Sequence, residues 1–453
     1  MKLEVLIYDA FVSFSKAHTG EVEISFGFIT TKNGWQLSIS GATEKKIKLV
    51  SSALLKIGLP DCIGLDIKEH HDLTKQVIGA AYAEFIDSGT SPCAIRYFLP
   101  AYLKGITKPS VKELASTIAK DFTCHLPSAS TGLESNSPFT LGPITIFRSM
   151  DWVDAIDFPA GAFNYGGMDN SDWRANLKAA LIDKDVELKP LNAPLYDVLT
   201  KSKSMIRVTT SGYGRSLAQK LSTIAARTTL DSISLISGSH KTFRSLLLYT
   251  ERRPPILAHS IIETIGFLWS PGVKLSDEIQ PALLNPEHLS STQLNFLNAV
   301  AKILNGMFNI GQEYPSICQR WSTALDWHGE ACREVSDQIA IAKFGTCLDV
   351  LSSGGGKTAA IANMVSNLTE IPIDDNAVNT GESLSLYKAI ARIYENGRSE
   401  ILHGNKVDRM ASFEELRGMA EHFSRITLIS GALAFLKYSG ADTEKAFCDM
   451  PPY

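Results

Sequence analysis

From residue 311 onward the chain divides into five stretches of helical period joined by short breaks. No other feature constrains the fold as strongly. In PSICQRWSTALDWHGEACRE, Trp321, Leu325, His328 and Cys332 recur at steps of three or four. An apolar stripe of that kind has to be buried against another element. SDQIAIAKFGTCLDVLSS follows, with Ser336 or Asp337 as its cap, and then KTAAIANMVSNL. In SLYKAIARIYENGRSEILHG, one stripe holds Leu386, Ile390, Ile393, Gly397 and Ile401. The last stretch, SFEELRGMAEHFSRITLISGALAFLKY, opens on a capping box, Ser412 with Glu415 three residues on. Short connections between antiparallel helices make a bundle.

The preceding residues read differently. Val22, Ile24, Phe26 and Phe28 alternate, Asn33-Gly34 supplies a turn, and Trp35, Leu37 and Ile39 alternate again. That pattern predicts a hairpin. EKKIKLVSSALLKIG and LTKQVIGAAYAEFID read as amphipathic helices, and 128–139 and 158–175 as loops. SMIRVTT reads as a strand, SLAQKLSTIAARTTLDSISLI as a helix, and LAHSIIETIGFLW as a further helix after the Arg252-Arg253-Pro254-Pro255 turn. The expected fold class is therefore α+β and multidomain. A mixed α/β region over 1–190 serves for sensing or regulation, a mostly helical region covers 191–310, and an all-α bundle covers 311–453.

A chain of 453 residues is too long for one ordinary core. Its 44% hydrophobic and 20% charged residues fit a globular protein, and a net charge of −4 offers no bulk field for nucleic acid. The seven cysteines include no C-x-x-C pair, so neither a disulfide framework nor a zinc ribbon is expected. No run of 18 apolar residues occurs, and MKLEVLIYDAF does not read as a signal peptide. The expectation is a cytoplasmic protein with no membrane span and no cofactor.

Three candidate motifs fall away on inspection. Gly356-Lys357-Thr358 resembles the end of a phosphate-binding loop, but the position five residues before Gly356 is Leu351, where the motif needs glycine. The glycines there read as a helix stop. Gly212 and Gly214 lack the third glycine of a dinucleotide fingerprint. His70-His71, between Glu69 and Asp72, reads as a surface turn more readily than as a metal site, His328 as a packed core residue, and His422 as structural.

The remaining constellation is GRSEILHGN, in which four residues separate Arg398 from His403, and Gly404 stands where a helix C′ glycine is expected. On a straight helix the two side chains are about 7.5 Å and about 140° apart. They can converge only if the helix end unwinds or a second subunit supplies the matching pair. On spacing alone Arg398 also reads as a salt-bridged residue beside Glu395 or Glu400, and His403 as a histidine favoured by the helix dipole. With TALDWHGEA and IAIAKFGTCLDVLSSGG before it, the segment resembles the HEPN superfamily, in its Apea-like branch. The resemblance covers 311–453 and says little about the rest.

The resemblance implies a metal-independent RNA endonuclease, usually a homodimer or higher homo-oligomer with a site shared between subunits. It also implies an effector of bacterial antiphage defence or a toxin, switched by a phage-derived or nucleotide trigger. Arg398 and His403 take the two motif positions. Ser399 stands where the family often has a longer polar residue. Asp326, Glu330 and Asp349 are candidate supports for either motif residue. Histidine can take either proton-transfer role near neutrality, and arginine can hold two phosphate oxygens at once. Attack by the RNA 2′-hydroxyl would leave a 2′,3′-cyclic phosphate and a 5′-hydroxyl. The alternative is a catalytically inactive bundle that dimerises or binds RNA.

Overall fold

The computed structural model describes residues 3–22, 28–30, 34, 36–57, 64–88, 115–116, 118–129, 138–167, 169–237, 242–251, 262–265, 267–269, 289–308, 311–353, 355–378, 383–405, 408 and 410–453. Contacts divide the chain into two compact units, neither of them continuous in sequence. One holds Met1–Phe122 with Thr210–Leu221, the other Thr123–Thr209 with Ser222–Tyr453.

In the first unit, α1 (Leu3–His18), α2 (Gly41–Ile57) and α3 (Ile67–Asp87) pack around Phe11, Phe14, Ile47, Tyr82 and Phe85. Tyr82 stacks on Phe14 at 5.2 Å and meets Phe11 edge-on at 5.6 Å. The expected hairpin forms from β1 (Phe28–Thr30) and β2 (Gln36–Ser38), with Ile29 opposite Leu37. Its buried positions are Ile29 and Leu37, while Phe28 is exposed, so the apolar face of β1 is one residue out of step with the alternation read from Val22 to Phe28. Ile24, Phe26, Asn33 and Trp35 lie outside the described residues. Helix α3 starts earlier than its periodicity suggests, because Asp66 and Glu69 form a reciprocal capping box. His70 and His71 are therefore helical and do not form a surface turn. His70 is buried against Ser51, and His71 bonds Glu44 Oε1 at 2.8 Å.

A four-stranded sheet, most of whose residues belong to the second unit, has the order β3-β6-β5-β4, drawn from Lys120–Ser128, Ser204–Tyr213, Ile144–Arg148 and Phe139–Leu141. Its strands come from both sides of residue 190, because strand pairing is non-local. Helices α4 (Ser149–Asp154), α5 (Trp173–Ile182) and α6 (Ala193–Leu199) surround a core of Phe147, Trp152, Trp173, Leu177 and Met205. The long α7 (Arg215–Ser237) is followed by the short α8 (Thr242–Ser245). The expected helix over LAHSIIETIGFLW does not form within the described residues. Ile262–Thr264 (β7) and Phe267–Trp269 (β8) pair antiparallel, as β-branched and aromatic residues favour. Arg252 and Arg253 lie outside the described residues.

Helix α9 (Ser291–Phe308), which the periodicity did not single out, precedes the five stretches. Those begin as α10 (Pro315–Arg333), α11 (Asp337–Leu351), α12 (Thr358–Thr369) and, after the small pair β9 (Asn376–Val378) and β10 (Leu384–Ser385), α13 (Leu386–Ala391). Helix α13 runs on through a π-helical segment, Arg392–Ser399, into α14 (Glu400–Leu402); α15 (Glu414–Lys437) and α16 (Ala446–Asp449) close the chain. Within the bundle α15 packs against α9, α10, α11 and α12. Trp321 is fully buried and donates its indole N–H to the Leu428 carbonyl at 2.9 Å. The expected box at Ser412 is not the start of α15: the helix begins at Glu414 after Phe413, with no side-chain cap. Ser336 does precede α11, also without a side-chain bond.

Candidate functional site

The described part of 354–358 takes no P-loop form. Helix α11 ends at Leu351, and Ser353 takes the left-handed turn (φ 83°) expected of a glycine. The loop then folds back. The Gly356 amide donates to Asp349 Oδ1 at 3.1 Å, and the Thr358 hydroxyl donates to Glu395 Oε1. It thus braces the last turn of α11 against the π-segment that carries Arg398.

That π-segment has a packing cause. A Cβ on Gly397 would stand 2.7 Å from Ile341 Cγ2, and one on Gly345 would stand 2.7 Å from the Cβ of Arg398. Two glycines therefore let the segment press onto α11, and Ile393, Tyr394 and Gly397 are buried there. Widened turns of this kind are frequent at functional sites.

Arg398 is held on two sides. Its Nη1 donates to the Tyr394 hydroxyl at 3.3 Å, and its guanidinium lies 5.1 Å from the Tyr394 ring centre. Its Nη2 is 3.6 Å from Asp349 Oδ2, a charge contact longer than a hydrogen bond. Its Nε is buried with no hydrogen-bond partner. Burial first, then the neighbouring Asp349 carboxylate, pushes the Tyr394 phenol above its ordinary value. The charged partner of Arg398 among the described contacts is Asp349, in the last turn of α11.

His403 is the C-terminal cap residue of α14. Its amide donates to the Ser399 carbonyl at 3.0 Å, and Gly404 takes the left-handed conformation (φ 73°) expected of a C′ glycine. The imidazole is exposed. No hydrogen bond or ion pair joins it to Arg398 among the described residues. The π-segment ends at Ser399, so it does not unwind the stretch between the two side chains. Ser399 is half-buried and enters the site through its carbonyl.

A comparison with protein-family models, with curated proteins and with solved structures finds no match.

Of the candidate supports, only Asp349 reaches Arg398. Asp326 and Glu330 lie on α10 in a different charge cluster. Asp326 is 2.9 Å from Arg227 Nε, and Glu330 pairs with Arg227 and lies 3.7 Å from Lys343. At the centre of that cluster Arg333 donates to Asp231, which is 1% exposed. Burial pushes the Asp231 carboxyl up to about 6, against the pull of Arg333 and Arg227. Tyr394 belongs with the site and was open to sequence reasoning, since residues four apart on a helix touch. The Gly356 amide contact has no sequence signal.

His328 is packed core, as its apolar face implied. It is 1% exposed, shares a hydrogen bond with Ser424 and sits against the Phe243 and Phe344 rings. Burial, with Arg425 and Arg333 nearby, holds its pKa down to about 3, which unfits it for proton transfer near neutrality. Cys124, Cys318, Cys332, Cys347 and Cys448 are free thiols. Among the described residues no group of three or more His, Cys, Asp or Glu could hold a metal ion, and no helix is long and apolar enough to cross a membrane.

Proposed function

We propose that this chain is a metal-independent RNA endonuclease of the HEPN-like kind, an effector of bacterial antiphage defence or a toxin, acting as a homodimer in the cytoplasm. One observation carries the reading. Arg398 is fixed by Asp349 and Tyr394, yet among the described residues its guanidinium makes a single hydrogen bond. A guanidinium has five N–H donors. The donors left over suit a phosphate, and Asp349 orients the group without neutralising it by a close bidentate pair.

His403 supplies the proton transfers and Arg398 stabilises the charged phosphorane formed when the 2′-hydroxyl attacks. Within one chain no hydrogen bond or ion pair joins the two side chains among the described residues, so on this reading the working site takes its complement from a second copy. Leu402, 59% exposed beside His403, and Ile339, 48% exposed on α11, offer apolar surface that such a copy would cover.

The test is induced expression in bacteria of the wild type beside His403→Ala and Arg398→Ala, with total RNA examined for new ends. Growth arrest and 2′,3′-cyclic phosphate ends with the wild type alone support the reading, and EDTA leaves cleavage by purified protein unchanged. Equal toxicity of wild type and His403→Ala would remove His403 from the reaction.

A second reading is an inactive dimerisation or RNA-binding module. It is favoured by the contacts that already tie Arg398 to Tyr394 and Asp349, which suit a structural role equally well. On that reading intact RNA is recovered from every strain, and Arg398→Ala lowers stability or dimer affinity instead.

A further inference from the structure

The four-stranded sheet changes character along one face. Phe147 and Met205 are directly paired across β5 and β6, and both are buried in the core that α4 to α6 surround. The next pair on that face is Thr145 with Arg207. Beyond it the Thr123 and Thr209 hydroxyls lie 3.3 Å apart, both on exposed residues. An apolar stripe thus gives way to a polar one where the helical cover ends. There the sheet opens into a cavity of about 510 Å³, within the range of small-molecule sites.

The polar wall is made of donors. The Arg207 guanidinium lies 4.8 Å from the Phe147 ring centre and has no carboxylate partner among the described residues. The Trp152 indole N–H donates to His125 Nδ1 at 2.9 Å. Indole nitrogen can only donate, so the ring proton of His125 stands on Nε2, and the imidazole offers an N–H. The Thr145 hydroxyl, 8% exposed, accepts from Thr140, which leaves its own hydrogen free to donate. Thr123 and Thr209 add two hydroxyls that bond to each other, which leaves one hydrogen of the pair to donate outward.

The opposite wall is apolar, from Pro143, Ala155 and Ile156. Asp157 stands among the lining residues, but its carboxylate accepts from the Phe158 amide at 2.8 Å and faces Arg174 at 3.5 Å. One fixed cation, one imidazole N–H and three hydroxyls converge across from an apolar wall. A phosphate ester matches this arrangement: its oxygens accept from Arg in a bidentate fork and from the hydroxyls, while its organic body meets the apolar side.

We propose that this cavity binds a phosphate monoester carried on a small organic body. The site shares no residue with the Arg398 cluster, so the inference stands whether or not the chain cuts RNA.

The test is isothermal titration calorimetry of the full chain with two phosphorylated probes, AMP and phenyl phosphate, beside adenosine and phenol. At least one phosphorylated probe is expected to bind about ten-fold or more tightly than its dephosphorylated form, since charge-assisted bonds to phosphate are the strong ones. Arg207→Gln is expected to weaken that binding about ten-fold or more at an unchanged melting temperature. Thr209→Val, an exposed and mild change, is expected to weaken it about three-fold or more and reports on the site if the Arg207 variant misfolds. Absence of heat with both phosphorylated probes would overturn the proposal. So would equal affinity for the dephosphorylated forms, or binding unmoved by both variants.

Discussion

Among the arginine–aspartate contacts, Arg333 with Asp231 of α7 and Arg398 with Asp349 of α11 contrast in how fully the arginine is used. Arg333, with a side chain 9% exposed, spends its guanidinium on Asp231 and on the Phe243 carbonyl, the latter at 2.9 Å. Arg398, 25% exposed, stands 3.6 Å from Asp349 and, among the described residues, makes one hydrogen bond and leaves its Nε without a partner. The first arginine is bonded through all three of its nitrogens and shut away, as a buried charge has to be. The second is fixed in place but under-used, which is the state expected of a group kept for an anion. Two contacts of the same residue types thus separate by donor satisfaction, where burial alone would rank them only by degree.

Asp231→Ala tests the closed contact and should have the largest effect. It leaves Arg333 buried without its carboxylate, and urea unfolding should show a loss of about 3–5 kcal/mol. A loss below about 1 kcal/mol would mean that water reaches Arg333 and that the contrast is overstated.

The core beside that contact should also respond to acid. His328 titrates near 6.5 when unfolded but near 3 when folded. The unfolded chain therefore binds the extra proton first. The stability from a neutral His328 is complete above about pH 6.5 and is lost as pH falls towards 3. Relative to neutral and higher pH, the loss by pH 5 is about 2 kcal/mol. In His328→Gln that slope should vanish from unfolding curves taken at each pH, even if the variant is less stable throughout.

Gly329→Ala sharpens the comparison further, because a Cβ there would meet the Asp231 carboxylate and crowd the Arg333 guanidinium. The strain outweighs the better helix propensity of alanine, for a net loss of about 1–2 kcal/mol by thermal or urea unfolding.

The open contact should behave in the opposite way. Arg398→Ala keeps the Cβ that packs on Gly345, so its stability cost should be about 1 kcal/mol or less. RNA cleavage by the proposed nuclease should nevertheless fall by about 100-fold or more. His403→Ala, at an exposed helix end, should change stability by less than about 0.5 kcal/mol and abolish cleavage. If Arg398→Ala costs as much stability as Asp231→Ala, the two contacts are of one kind, and Arg398 is structural.

Much of the bundle was legible in the sequence because its apolar stripes are local. Trp321, Leu325, His328 and Cys332 are all buried on α10, as their spacing required. Gly404 fell where a left-handed residue was needed. The misreadings came where a local signal had a stronger competitor. The stretch 262–269 has a helix-like apolar density, but its β-branched and aromatic residues pair as strands. Ser412 and Glu415 have the spacing of a capping box, yet the helix begins at Glu414. Of the site, the sequence offered Arg398, His403 and three candidate carboxylates; the choice of Asp349 depended on which face of α11 meets the π-segment.

By itself the sequence determined that the chain has a helical C-terminal part and mixed α/β structure before it, because hydrophobic period is a local property. It also placed Arg398 and His403 on one late helix, five residues apart. Tertiary structure alone decided that Asp326 and Glu330 serve Arg227, that Asp349 serves Arg398, and that Arg207, His125 and three threonines share one cavity wall. The physical reason is the same in each case. Charge pairing and cavity lining act between residues far apart in the chain, and glycines such as Gly345 and Gly397 set how closely the elements carrying them can approach.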